Sequence, residues 1–249
     1  MSKIISVHSF RGGTGKSNTS ANLAAILAQQ GKRVCVVDTD IQSPGIHIIL
    51  GLGDEQPQYA LNDYLFGECT IEQAALDMTP RLGVNVSGRV FLIPSSTQVG
   101  EITRALRGYD VDILVDGYEE IIARLDLDVL IIDTHPGLNN ETLMSVSVSD
   151  ALVIMLRPDH QDYQGTAVVL DVSRRLGVEK IILVANKIPQ SIPLSQLKQE
   201  MSEQYQCEVG ATLPHSDDMM ILGSQGVFAL HYPSHFITKQ LNQLAAMLV

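Results

Sequence analysis

The sequence predicts a doubly wound α/β fold, a mostly parallel sheet with helices on both faces. Three observations predict it. Short apolar runs rich in Val, Ile and Leu alternate with helix-forming stretches along the whole chain. Most of those runs are continuously apolar rather than alternating in polarity, as strands are when helices cover both faces. The first run passes through a glycine-rich turn directly into a helix-forming segment, and short connections of this kind give right-handed crossovers.

Strands are expected at residues 3–9, 33–38, 90–94, 127–133, 151–156, 180–186 and 208–213. The helix after the first strand is expected to end near Gln30, with Gly31 taking the left-handed conformation that terminates it. Thr70-Ile71-Glu72-Gln73 has the spacing of a capping box and predicts a short helix. Residues 84–90 read as a small hairpin turning near Gly88, and Gly177 closes the helix before the strand at 180–186. A last helix over about 234–248 places Phe236, Ile237, Leu241, Leu244, Ala245 and Leu248 on one face. Its polar face carries a single charge, Lys239, where a membrane-surface helix would be rich in Lys and Arg. That helix is therefore expected to pack on the sheet. No repeat, low-complexity tract or linker interrupts the chain, and residues 1–249 are read as one domain.

Composition narrows the class. With 249 residues and 45 % hydrophobic side chains, the chain can build a full core. Aromatic residues are only 5 % and Trp is absent, which argues against base-stacking platforms. The formal charge of −11 disfavours a broad nucleic-acid or anionic-membrane surface, although Arg174, Arg175 and Lys180 leave a small basic patch. Cys35, Cys69 and Cys207 show no paired spacing and read as reduced thiols of a cytoplasmic protein. No signal peptide precedes the first strand, and no apolar run reaches membrane-span length.

The chemistry concentrates at Phe10-Arg11-Gly12-Gly13-Thr14-Gly15-Lys16-Ser17. Glycines let backbone N–H groups crowd around a polyphosphate, and a helix N-terminus adds a favourable dipole. Lys16 supplies a compact cation for the β- and γ-phosphates, and the Ser17 hydroxyl is a ligand for Mg²⁺. Asn18 opens the helix behind them. Two strand ends deliver acids to the same edge: Asp38 and Asp40 after residues 33–38, and Asp133 after four apolar residues. Close carboxylates suit a Mg²⁺ site, with Asp133 in the manner of a Walker B strand. The Gly137 N–H is placed to meet a γ-phosphate. His135, in Asp133-Thr134-His135-Pro136-Gly137, is read as structural. Asn186 ends an apolar strand and either reads the adenine edge or forms a turn. Pro189 stands where a guanine-reading motif carries Asp.

The loop departs from the general phosphate-loop pattern, which wants glycine at position 10. Basic residue, Gly-Gly, any residue, Gly-Lys-Ser fits instead. This resembles the deviant phosphate loop of the MinD/ParA ATPases, with the MinD-like members the nearer. Asp38-Thr39-Asp40-Ile41, residues 61–71, Leu92-Ile93-Pro94-Ser95-Ser96, Leu213-Pro214-His215-Ser216-Asp217 and Ser224-Gln225-Gly226 extend the likeness. The resemblance implies ATP/ADP and Mg²⁺ as cofactors, slow partner-stimulated hydrolysis, and a homodimer closing over two nucleotides. By position, Gly12, Gly13, Thr14, Gly15, Lys16, Ser17 and Asn18 hold phosphate; Ser17, Asp38 and Asp133 hold the metal; Asp40 positions the attacking water; and Pro214 flanks adenine. Arg11 takes the place of a signature lysine that crosses to the partner's phosphates. A guanidinium is a planar fork with a different reach from an ammonium.

MinD proteins end in a basic amphipathic membrane tail that this sequence does not show, so the expected partners are proteins rather than membrane. Two other readings are a ParA- or McdA-like ATPase whose dimer binds DNA, which the net charge disfavours, and a catalytically weak nucleotide-binding scaffold.

Overall fold

A computed structural model describes residues 2–249. Its strands are β1 (Lys3–His8), β2 (Arg33–Asp38), β3 (Leu76–Asp77), β4 (Arg89–Ile93), β5 (Val129–Asp133), β6 (Ala151–Leu156), β7 (Lys180–Ile188) and β8 (Glu208–Pro214). The helices are α1 (Lys16–Gln29), α2 (Ile46–Ile49), α3 (Leu61–Leu65), α4 (Val99–Leu106), α5 (Asp112–Leu125), α6 (Asn140–Ser147), α7 (His160–Arg175), α8 (Leu194–Tyr205), α9 (Asp217–Leu222), α10 (Phe228–His231) and α11 (Phe236–Leu248). One sheet runs β3-β4-β2-β5-β1-β6-β7-β8. All pairings are parallel except β3 with β4.

Successive residues of each inner strand enter opposite layers, because a strand's side chains alternate between faces. Val34 and Val36 join the layer of α1, α2, α10 and α11, whereas Cys35 and Val37 join that of α3 and α5. On β6, Ala151, Val153 and Met155 face the first layer and Leu152, Ile154 and Leu156 face α7 and α8. Both faces are apolar, so the runs are continuous in sequence. In α1, Ala21, Ala24, Ala25 and Ala28 are fully buried. Their small side chains let the helix lie close under the sheet, which sets the position of the loop in front of it.

Seven of the eight strands match the expected runs to within two residues at either end, and Gly31 and Gly177 sit in the left-handed region after α1 and α7. Three local expectations are corrected. The Thr70–Gln73 capping bonds form (Gln73 Oε1 accepts from Thr70 N at 2.9 Å), yet the segment is a turn, because the chain leaves at once for the edge strand β3. Residues 84–88 form no hairpin: β4 pairs with β2 and antiparallel with β3, a two-residue strand the sequence did not signal. Gly88 instead lies against the turn after α1, where a Cβ would come within 2.0 Å of the Lys32 carbonyl. Phe236, expected on the packed face of α11, is half exposed, while Ile237, Leu241, Leu244, Ala245 and Leu248 pack as expected.

Candidate functional site

The parallel register brings the carboxyl ends of the central strands to one edge. Val7 is paired with Asp133 and Val153, and Asp133 with Asp38. Between β1 and α1 the backbone turns through Gly13 at φ +76° and Gly15 at φ +102°. Glycine is required at position 15 twice over: for the left-handed backbone, and because a Cβ there would lie 2.4 Å from Asn186 Nδ2. The first turn of α1 carries no side-chain cap and no acid, so its N–H groups and positive dipole end face the cleft uncompensated. Lys16 is 6 % exposed.

Behind the loop, Asp38 and Asp133 are wholly buried neighbours on β2 and β5. Asp38 Oδ1 accepts from Asp40 N at 3.0 Å, and Asp133 Oδ1 from Ser20 Oγ at 3.0 Å. The second oxygen of each, Oδ2, is buried without a partner. Burial, reinforced by the charge of Asp133, raises the Asp38 carboxyl well above the ordinary range. Burial pushes Asp133 up to about 6, against the opposing pull of Ser17, Lys16 and Ser20. Two adjoining acids with orphaned oxygens beside a serine hydroxyl form an all-oxygen donor set, which is what Mg²⁺ prefers.

Asp40 sits at the mouth. Its Oδ1 accepts from His135 Nδ1 at 2.7 Å and from Ser43 N at 3.2 Å. The neighbouring His8 is buried in β1, and its pKa is lowered to about 3, chiefly by burial, with Lys16 and His135 adding to the effect. Thr134 Oγ1 donates to the Val7 carbonyl, so His8 Nδ1, 2.7 Å away, is the donor to that hydroxyl. This pair ties the loop after β5 to β1.

Gly15, Lys16, Ser17, Asp40 and His135, with Gly12, Gly13, Asn18, Lys187, Pro214, Met219 and Met220, surround a cleft of about 640 Å³. A family model described as an AAA domain, AAA_31, matches residues 2–182. An uncharacterized ATP-binding protein of Methanocaldococcus jannaschii is 30 % identical over 190 residues, covering 76 % of this chain and 65 % of its own. The septum site-determining protein MinD of Synechocystis is 28 % identical over 198 residues, covering 79 % and 69 %. Among solved structures, MinD of Pyrococcus horikoshii complexed with Mg-ADP superposes with a TM-score of 0.82 at 20 % identity, over 99 % of this chain and 96 % of that one. The chain belongs to the MinD/ParA family of P-loop ATPases. It spans about two thirds of the length of these curated relatives.

In this MinD/ParA-family chain the cleft gathers most of the residues expected there: Gly12, Gly13, Gly15, Lys16, Ser17, Asn18, Asp40, Asn186 and Pro214 line it, with Asp38 and Asp133 beneath. Four expected residues are placed differently. Thr14 is buried with its hydroxyl unpartnered and does not line the cleft. The Gly137 N–H is engaged by the Ser9 carbonyl at 3.1 Å, so the expected donor to a γ-phosphate is already occupied. Asn186 has both ends of its amide engaged: Nδ2 donates to Thr14 O and Oδ1 accepts from Lys187 N, each at 2.8 Å. Its present work is to brace the phosphate loop rather than to read a base. Arg11, expected to reach outward to a partner, turns onto its own chain, with Nη1 3.6 Å from both Asp159 and Asp162 at the start of α7. Next to it the Phe10 ring covers Gly165, where a Cβ would come within 2.1 Å of Cδ1.

Two contributors were not foreseen. Lys187, at φ +55°, donates from Nζ to the Gly13 carbonyl at 2.8 Å. His135 reaches Asp40 across 95 positions of sequence. Neither contact has a sequence signal, since each depends on two strand ends being neighbours in the sheet.

Proposed function

We propose that the chain binds Mg²⁺–ATP in this cleft, hydrolyses it slowly, and uses the nucleotide to switch between monomer and homodimer. The observation that carries the reading is the convergence of an uncapped helix N-terminus, a nearly buried Lys16 and two buried, half-unpartnered carboxylates on one cavity. Backbone N–H groups of residues 12–18 and the Lys16 ammonium hold the phosphates. Ser17, Asp38 and Asp133 hold the metal, which when bound supplies positive charge to offset both the acids and the phosphates. Asp40 orients the water, and Pro214 with Met219 and Met220 forms an apolar wall for the base. With its acidic surface and the family's relationship to site-determining proteins, the switch acts in the cytoplasm through protein partners in placing a cellular structure. Among the described residues no helix is long and apolar enough to cross a membrane.

Calorimetry with ATP and Mg²⁺, followed by sizing, tests this. The unaltered chain is expected to take up one nucleotide per subunit and to elute as a dimer with ATP, and Lys16→Ala to do neither. An unaltered chain that takes up no adenine nucleotide overturns the proposal.

A further inference from the structure

We infer that His135 is a positioning residue for Asp40, and that hydrolysis depends on the Nδ1–H of its imidazole. The inference rests on the reading of the cleft as an ATP site. The carboxylate of Asp40 can only accept, so His135 Nδ1, 2.7 Å from Oδ1, carries the hydrogen and donates it. With Ser43 N at 3.2 Å on the same oxygen, Oδ1 is held from two directions. Oδ2 has no protein partner among the described residues and is the oxygen left to meet a water. His135 is itself fixed: its carbonyl accepts from Thr142 Oγ1 at 3.3 Å, its neighbour Thr134 is tied to Val7 and His8, and Pro136 follows it. The imidazole thus carries the rigidity of the β5 end to a carboxylate on the loop after β2. The backbone before Asp40 is held too, since Thr39 N and Oγ1 donate to the Asp133 carbonyl at 3.0 and 3.1 Å, but apart from His135 the Asp40 side chain is held only by the Ser43 N–H. Asp40 lies two residues beyond the end of β2, in an irregular segment whose local restraints are the Asp38 and Ser43 contacts. A water-orienting group must be held to a fraction of an ångström, and a loop carboxylate whose side chain is held only by the Ser43 N–H at 3.2 Å is not.

The contact does not mark a merely structural histidine. A histidine kept for packing would be satisfied by other buried groups, whereas His135 is partly exposed, lines the cleft and directs its imidazole's one protein hydrogen bond among the described residues at the acid over the phosphate loop.

The test measures steady-state ATP hydrolysis by His135→Ala, His135→Asn, His135→Leu, Asp40→Ala and the Asp40→Ala/His135→Ala double variant, with kcat and KM separated and melting curves recorded for each. An Asn amide N–H stands where Nδ1–H stood, while Leu fills the space without donating. The expected pattern is a kcat about tenfold lower in His135→Ala with KM within about twofold, recovery by Asn to within about threefold, and none by Leu. In the Asp40→Ala background His135→Ala adds no further loss, because its effect passes through that carboxylate. A His135→Ala kcat equal to that of the unaltered chain overturns the inference, as does recovery by Leu equal to that by Asn. Magnesium-ATP calorimetry on the unaltered chain keeps the two claims apart. No uptake removes the site itself, whereas normal uptake and turnover that survive His135→Ala remove only the role of His135.

Discussion

Replacing Asp162 by Asn tests how much the buried ion pair between the end of β6 and the start of α7, beside the phosphate loop, contributes to the fold. The Asp162 side chain is 2 % exposed and takes bonds from Arg157 N at 2.9 Å, Nε at 3.0 Å and Nη2 at 3.2 Å, with Arg11 Nη1 at 3.6 Å. Removing one member of a fully buried ion pair costs about 3–5 kcal/mol. Arg157 is 28 % exposed and regains some hydration, and Asn keeps an acceptor, so the structure supports a smaller loss. About 2 kcal/mol is expected, which for a chain of this length lowers Tm by about 4–8 °C. The pH dependence follows from the carboxyl's own balance: burial raises it, but the bonds from Arg157 outweigh burial and hold it below the ordinary value. A group depressed on folding stabilises above its unfolded pKa, and that stabilisation is lost as pH falls through the folded value. The difference between the two proteins is therefore full at pH 7 and closes below about pH 4. Urea denaturation followed by circular dichroism from pH 7 downward reads it. A Tm change under about 1 °C at pH 7, or a difference that stays constant in acid, would refute the reasoning.

Three further outcomes follow from the same geometry. Gly165→Ala forces a Cβ to within 2.1 Å of the Phe10 ring and should cost about 1–3 kcal/mol by overpacking. Adding Phe10→Ala should recover most of that loss, and strictly additive urea midpoints would show that the two residues do not share the space. Asp38→Asn removes a carboxyl whose ionisation burial and the charge of Asp133 both oppose, and lets an amide N–H face Asp133, so the metal-free protein should gain about 1–2 kcal/mol. The same variant should lose at least about tenfold in magnesium-dependent nucleotide affinity. A lower Tm for it, measured without metal, would show that the acids do not destabilise one another. Arg11→Ala should lower Tm by only about 1–2 °C, because the Arg11 guanidinium is 41 % exposed and stands 3.6 Å from its partners; a larger drop would mean the α7 contact holds the loop in place.

Much of this molecule is local enough to read along the chain. Continuous apolar runs bounded by polar turns mark β1, β2 and β4 to β8, because strands covered on both faces have few polar positions to confuse the pattern. Gly12-Gly13-Thr14-Gly15-Lys16-Ser17 declares its chemistry because phosphate binding uses backbone conformation and a helix start, both properties of consecutive residues. Asp38, Asp40 and Asp133 could be assigned to one edge because parallel strands all end on the same side. The misreadings share one cause. Thr70–Gln73 has the composition of a helix start and Gly88 that of a hairpin turn, but the neighbours that decide each case, β3 for one and the Lys32 carbonyl for the other, lie elsewhere in the chain.

The sequence by itself determined the layered fold, the phosphate-gripping turn and the acids around it, since each is written in residues a few positions apart. Only the tertiary structure decided where Arg11 turns, what braces Asn186 and Lys187 against the loop, and which group steadies Asp40. Those outcomes depend on which strand ends become neighbours, and strand order is set by how whole layers bury their apolar faces, a global result that no short stretch encodes.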